Sequence, residues 1–389
     1  MGRSPGATQG WVLVATTWLA VAAAAVVAPV SPLMASYFGG GAQIEGMVQI
    51  SIGLPALFVA LLGGPSGFLA DRIGRKRVLL VALVLYTLFG TAPLWLPTLP
   101  LILASRAGVG MAEGAVLATG TALIGDYFTG SQRDKWFAIQ GATATLIAIC
   151  LLTLSGFLGA GGWRQPFAVY ALPLLLVLLV ARLIWEPATR QMEFAPDAKA
   201  GLPGLWRICL VTIFAAVAFY VVLVQLPFLL TDRGFGAPKE IALGTVASAV
   251  TAPLGALIFR LMARSGYASR LAVSFAASAT GLGMIAANAE YVPILIGAAV
   301  NGIGSGIALP TLIGSALAGR PSAVMGRASG IWNATFFLGQ FLSPPVFIGI
   351  TALAGDRSAA MAVFAVLVGV AALIATVLSV RRQMAGAAA

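Results

Sequence analysis

Apolar runs of about 20 residues recur from one end of this chain to the other, each long enough to cross a hydrocarbon core roughly 30 Å thick. That recurrence constrains the fold more than any motif does. Inside lipid a backbone N–H or C=O finds no water, so a spanning segment must be a helix or part of a closed barrel. These runs are continuous rather than alternating in polarity, so they predict helices. They fall at 11–36, 45–69, 77–96, 99–124, 136–160, 167–185, 206–230, 239–262, 270–288, 291–318, 328–353 and 359–380. The expected fold class is an all-α membrane protein with twelve transmembrane helices.

Composition agrees. Of the 389 residues 60% are hydrophobic and 9% charged, against about 25% charged in a soluble domain. The net charge of +11 sits in short stretches between runs, which suits a membrane surface rather than nucleic acid. Histidine is absent, so any proton chemistry must rest on carboxylates. Cys150 and Cys209 show no CxxC spacing and read as buried thiols rather than a disulfide. The N-terminal run exceeds a signal-peptide core and many spans follow it, so it reads as the first helix.

A stretch rich in Pro, Gly and charge, 186–204, divides the chain into halves at 1–185 and 205–389. With the N-terminus in the cytoplasm, Arg164, Arg233, Lys239 and Arg357 fall outside and Arg106 within a span, leaving 18 of the 23 basic residues inside. That asymmetry predicts two cytoplasmic termini. The halves echo each other. At an offset of 195, Pro32, Gly39, Gly41 and Glu45 meet Pro227, Gly234, Gly236 and Glu240. Near 194, Gly108–Gly110 meet Gly302–Gly304, and at 192 Arg72, Gly74, Ile139, Ala142 and Thr143 meet Arg264, Gly266, Ile331, Ala334 and Thr335. Two pseudo-symmetric six-helix bundles around a central site are an architecture of secondary transporters.

Between the second and third runs lies "GFLADRIGRKR", Gly67 to Arg77. Gly67, Leu69, Asp71, Arg72, Gly74, Arg75, Lys76 and Arg77 resemble the G-x-L-a-D-R-x-G-R-[KR]-[KR] motif of the major facilitator superfamily. A weaker copy at Arg260–Arg270 carries Ala263 where the first has Asp71. "RAGVG" at Arg106–Gly110 is similar to the family's R-x-x-x-G element, and "GDYFTGSQRDK" also fits. The resemblance implies a cytoplasmic latch in which Asp71 accepts N–H groups at the start of helix 11 (Gly326 to Gly330) and Arg75 bridges to Asp71 or Asp126. Such a latch favours an outward-facing state. The alternative is that Arg72, Arg75, Lys76 and Arg77 only fix topology. That fails for Asp71, because an acid weakens a basic anchor.

Of twelve acids only Glu113 lies mid-span, where a charge costs at least about 2.5–3.5 kcal/mol on insertion scales. Arg106, seven residues earlier, shares its face about 10 Å away. Glu113 binds the coupling proton with Arg106 tuning it, or Arg106 holds an anionic substrate, or Glu113 is a neutral structural acid. Trp18, Tyr220, Gln225, Asn301, Asn333 and Gln340 are substrate-cavity candidates, each equally fit for interhelical hydrogen bonding or packing. No nucleophile–base pair, metal set or nucleotide loop is present, so neither an enzyme nor ATP-driven transport is expected. The fifth run lacks the Gly-Pro pair of many drug–proton antiporters, and the first run lacks an acid.

The resemblance implies a transporter, closest to bacterial efflux permeases of small organic molecules. The expectation is proton-coupled export of a small amphipathic solute across the bacterial inner membrane. No cofactor is needed beyond the proton gradient. Its partners are the solute, protons and the bilayer, with no nucleic acid, and it works as a monomer. A symporter of an organic anion, or a transport-inactive sensor or assembly factor on the same fold, are the alternatives.

Overall fold

The computed structural model describes residues 5–187 and 202–387. Within them twelve helices are long and apolar enough to cross a membrane. They are Ala7–Tyr37 (α1), Ala42–Ile73 (α2), Arg75–Leu94 (α3), Leu99–Tyr127 (α4), Gly130–Gly159 (α5) and Gln165–Leu183 (α6). Leu205–Asp232 (α7), Pro238–Leu261 (α8), Tyr267–Ala287 (α9), Tyr291–Leu317 (α10), Val324–Ala354 (α11) and Arg357–Arg381 (α12) follow. Each overlaps one of the twelve apolar runs. Several ends move outward where charge flanks a run. α5, for example, starts at Gly130 rather than 136. Hydropathy falls off at the interface, whereas a helix keeps its backbone bonds into it.

The loop expected between the second and third helices is one residue long. α2 continues through Asp71 and Arg72 to Ile73, α3 begins at Arg75, and Gly74 turns the chain at φ 104°, ψ 130°. A residue with a Cβ rarely enters that region.

α1 is interrupted. Helix runs from Ala7 to Thr17 and from Leu19 to Ala25, a 3₁₀ turn spans Ala28–Val30, and helix resumes at Ser31. Pro29 and Pro32 lack the N–H that the ladder needs and crowd the preceding turn. The tightened turn redirects two donors: Val27 N–H bonds Ala24 O at 3.2 Å and Val30 N–H bonds Val27 O at 3.1 Å. The carbonyls of Ala23 and Val26 thereby lose their helical donors, and in a membrane they need replacements.

The helices pack as two units, α1–α6 and α7–α12. The stretch expected as a linker, 186–204, lies at 188–201 outside the described residues. In the first unit α4 packs on α2 and α3; in the second α10 packs on α8 and α9. Glycines allow these approaches. Gly110 faces the backbone of Pro55, and Gly306 faces Ala252 and Gly255, the small-residue contact of membrane helices. Both cysteines are free, but neither is buried: Cys150 is exposed and Cys209 half-buried. The expectation of buried thiols fails because Cys150 lies on an open face of α5, where an apolar run looks the same whether it meets protein or lipid.

Candidate functional site

The motif residues assemble around Arg75. Its Nε and Nη2 donate to Asp71 Oδ1 at 3.0 and 2.8 Å, and Nη1 donates to Asp126 Oδ2 at 2.5 Å and to Ala122 O at 3.4 Å. One guanidinium thus joins the last turns of α2 and α4 to the first turn of α3. Each partly exposed pair contributes at most about 1 kcal/mol, so the hub fixes geometry more than it adds stability. Arg72 stands apart, its guanidinium 4.3 Å from the Phe68 ring. Gly67 faces Ala118 of α4.

Glu186, just beyond α6, caps the N-terminus of α3. Arg75 N–H donates to its Oε1 at 2.6 Å and Lys76 N–H to its Oε2 at 3.0 Å. These are two of the four donors that every helix start leaves open, at the positive end of its dipole. Lys76 Nζ donates to Ala181 O at 2.9 Å, so the motif is tied to the end of α6 from both sides. Sequence reading took Glu186 as the first residue of a linker. Its role appears only once α6 is folded back beside α3.

Deeper in the unit, Arg106 is fully buried. Its Nε donates to Ser51 O at 3.2 Å, its Nη1 to the Tyr170 hydroxyl at 2.8 Å, and its Nη2 to Ala23 O. The arginine therefore takes over one carbonyl that the break in α1 leaves open. Ser155 Oγ of α5 takes the other, Val26 O, at 2.6 Å. Tyr86 of α3 donates to Leu19 O at 2.8 Å, and the Tyr86 and Tyr170 rings stand 5.5 Å apart. Tyr86, Ser155 and Tyr170 were missed in the sequence. A signal did exist: a buried arginine must find oxygens, and a proline-broken helix supplies them.

Glu113 is 2% exposed, and its Oε2 has no hydrogen-bond partner among the described residues. At about 100° per residue, Glu113 and Arg106 point within about 20° of each other. Gly110, beside them, meets α2 at Pro55, while Gly120 meets α1 at Thr16 and Thr17. Both side chains therefore lie along the seam between α1 and α2. Arg106, Glu113, Tyr86 and Tyr170 are all within one another's electrostatic reach.

The remaining candidates are scattered. Trp18 donates its indole N–H to Thr143 Oγ1 of α5 at 2.9 Å. In the second unit Gln225 on α7 is buried and Tyr220 half-buried. Asn301 on α10 is buried, with Nδ2 unpartnered among the described residues. On α11 Asn333 is exposed and Gln340 half-buried. No group of three or more His, Cys, Asp or Glu residues able to hold a metal occurs among the described residues.

Comparison with known proteins covers most of the chain. The family profile described as Major Facilitator Superfamily matches residues 13–344. A tetracycline resistance protein, class B, of Escherichia coli is 26% identical over 352 residues, 83% of this chain and 84% of that protein. The 3-(3-hydroxy-phenyl)propionate transporter of Escherichia coli strain K12 is 31% identical over 243 residues, 57% of this chain and 59% of that protein. Among solved structures, a bacterial homologue of the human lysosomal transporter Spinster matches with a TM-score of 0.77 at 16% identity. The match covers 94% of this chain and 96% of that one, a likeness of fold.

Proposed function

The chain belongs to the Major Facilitator Superfamily, and from that membership we propose that it is a proton-coupled exporter of a small amphipathic or hydrophobic organic solute. It is a multi-pass membrane transporter and not an enzyme. In this proposal it works by alternating access, as a monomer in a bacterial cytoplasmic membrane with both termini inside. The proton gradient alone drives it, without a cofactor.

One observation carries the coupling. Glu113 holds a carboxyl oxygen in the interior of α4 with no partner among the described residues. A buried, unpaired carboxylate is among the most expensive groups a membrane helix can hold. Binding a proton there removes the charge, and releasing it requires a route to water, so occupancy and access are linked. The similarity to a tetracycline resistance protein over 84% of its length supports export, since a transporter protects a cell by lowering the internal drug concentration. Import of an organic anion through Arg106 is less well supported, because all three guanidinium nitrogens already have protein acceptors. The Asp71–Arg75–Asp126 hub, with Gly67, Arg72 and Gly74, is assigned to gating at the cytoplasmic end. Trp18, Tyr220, Gln225, Asn301, Asn333 and Gln340 are assigned to solute contact.

The test is flux in proteoliposomes under an imposed pH gradient, with tetracycline and 3-(3-hydroxy-phenyl)propionate as probe solutes. Wild type is expected to move tetracycline uphill, and Glu113→Gln to lose uphill movement while retaining exchange. Uphill transport by Glu113→Gln equal to wild type refutes the proton role. Uphill movement of the propionate but not of tetracycline refutes the substrate reading.

A further inference from the structure

Four side chains from four helices converge on one short stretch of α1. Tyr86 bonds Leu19 O, Tyr170 lies 3.2 Å from Ala22 O and 3.3 Å from Ala23 O, Arg106 also takes Ala23 O, and Ser155 takes Val26 O. The second unit has a bond of the same kind among its described residues. Ser343 of α11 donates to Val217 O at 2.9 Å, and α7 is helical throughout from Leu205 to Asp232. The serine is thus common to both units, whereas the arginine and the two tyrosines belong to the unit that carries Glu113.

Tyr170 is the joint of this cluster. A phenol has one hydrogen to donate and lone pairs to accept. Its oxygen accepts from Arg106 Nη1 at 2.8 Å and faces two carbonyls at nearly equal distance. The single hydrogen therefore serves Ala22 or Ala23, and the choice depends on where Arg106 holds Ala23 O. Glu113 is two helical turns away on the same face of α4.

Few other charged or titratable groups approach that depth. α1 has only Tyr37, at its far end, and α2 has Glu45, Asp71 and Arg72 near its ends. α3 adds Arg75, Lys76 and Arg77 at its start besides Tyr86, and α6 adds Arg182 near its end besides Tyr170. α5 brings Arg133, Asp134 and Lys135 at its start and the exposed Cys150. The charge on Glu113 therefore acts chiefly on the arginine and the two phenols.

We propose that Tyr170 is a positioning residue which, with Arg106, ties the charge state of Glu113 to the geometry of the break in α1. This deepens the proton-coupling reading and rests on it. With Glu113 neutral, Arg106 stays committed to the carbonyls and α1 is held. With Glu113 ionised, the guanidinium has a competing acceptor along the seam, its hold on Ala23 O weakens, and the phenol hydrogen moves with it. The stretch from Leu19 to Val27 then loosens. A proton bound on α4 is thereby read out as a change in the backbone of α1.

Hydrogen–deuterium exchange on the full chain in proteoliposomes tests this, corrected for the intrinsic pH dependence of exchange. Peptides covering 19–27 in wild type are expected to exchange roughly three- to tenfold faster on the alkaline side of neutrality than on the acid side, the scale of one net hydrogen bond. Tyr170→Phe is expected to exchange faster at both pH values and to lose the difference. Tyr86→Phe, which frees Leu19 O without touching Arg106, is expected to exchange faster but to keep the difference. A merely structural clamp makes the two variants behave alike, and that result overturns the proposal, as does a wild type with no pH dependence at 19–27. If Tyr170→Phe does not fold, Glu113→Gln decides, because the difference must vanish in it. Uphill transport separates the two readings. Normal flux in Glu113→Gln sinks the proton role, whereas proton-dependent flux with a pH-insensitive 19–27 sinks only the link through Tyr170.

Discussion

Replacing Gly74 by alanine tests whether the junction of α2 and α3 is as constrained as its geometry indicates. Two costs add. At φ 104°, ψ 130° the backbone occupies a region in which a Cβ is strained, at about 1–3 kcal/mol. The new Cβ would also sit 3.0 Å from Glu186 Oε2 and 3.2 Å from its Cδ. That carboxylate has little room to retreat, since Arg75 and Lys76 N–H groups hold it at 2.6 and 3.0 Å. Moving it weakens a helix cap worth about 1 kcal/mol. The expected loss is about 2–4 kcal/mol in all. Gly125→Ala is the control: it sits inside α4 with nothing within 4 Å of an added Cβ, and there alanine should be neutral or better by about 0.4–1 kcal/mol. Reversible unfolding in mixed micelles measures both. The double variant Gly74→Ala, Glu186→Ala should recover about 1 kcal/mol relative to the sum of its parts, since the two groups touch. If Gly74→Ala lies within about 0.5 kcal/mol of Gly125→Ala, the error of an additive comparison, the reasoning is wrong.

Two further outcomes follow from the same contacts. Arg75→Lys keeps the charge but not the fork that reaches Asp71 and Asp126 together, and should raise labelling of a cysteine placed at Ala122 several-fold; unchanged labelling removes the hub from any gating role. Ser155→Ala should cost about 1–3 kcal/mol by stranding Val26 O, whose helical donor is already lost. Ser343→Ala should cost under about 1 kcal/mol, because Val217 O lies in unbroken helix. Equal losses in paired unfolding curves refute this account of the α1 break.

The spans were legible because lipid allows one solution to an apolar run of that length. Arg75 and Asp71 were legible because they share one patterned stretch, whereas Asp126 lies in a second stretch just beyond the fourth run. The sequence left open which acid Arg75 meets, and it meets both. Glu113 stood out as the one acid within a run. The partners of Arg106 were hidden for a physical reason. Tyr86, Tyr170 and Ser155 look like packing residues inside apolar runs, and only the folded neighbourhood shows which carbonyls they face. Pro29 and Pro32 account for the 3₁₀ turn in α1, but not for the interruption already present at Trp18. Glu186 was hidden by its position next to a stretch of linker composition.

The bond between Trp18 and Thr143 has a counterpart in the second unit, where Trp332 Nε1 of α11 donates to Thr212 Oγ1 of α7 at 3.1 Å. Thr212 lies 194 residues after Trp18, and Trp332 lies one turn before Thr335, the match of Thr143. Indole and hydroxyl have traded helices. The two units each hold a compatible pair, written in opposite order. A graft of α11 into the place of α5 therefore sets tryptophan against tryptophan. At this contact the two units correspond as wholes but not helix for helix.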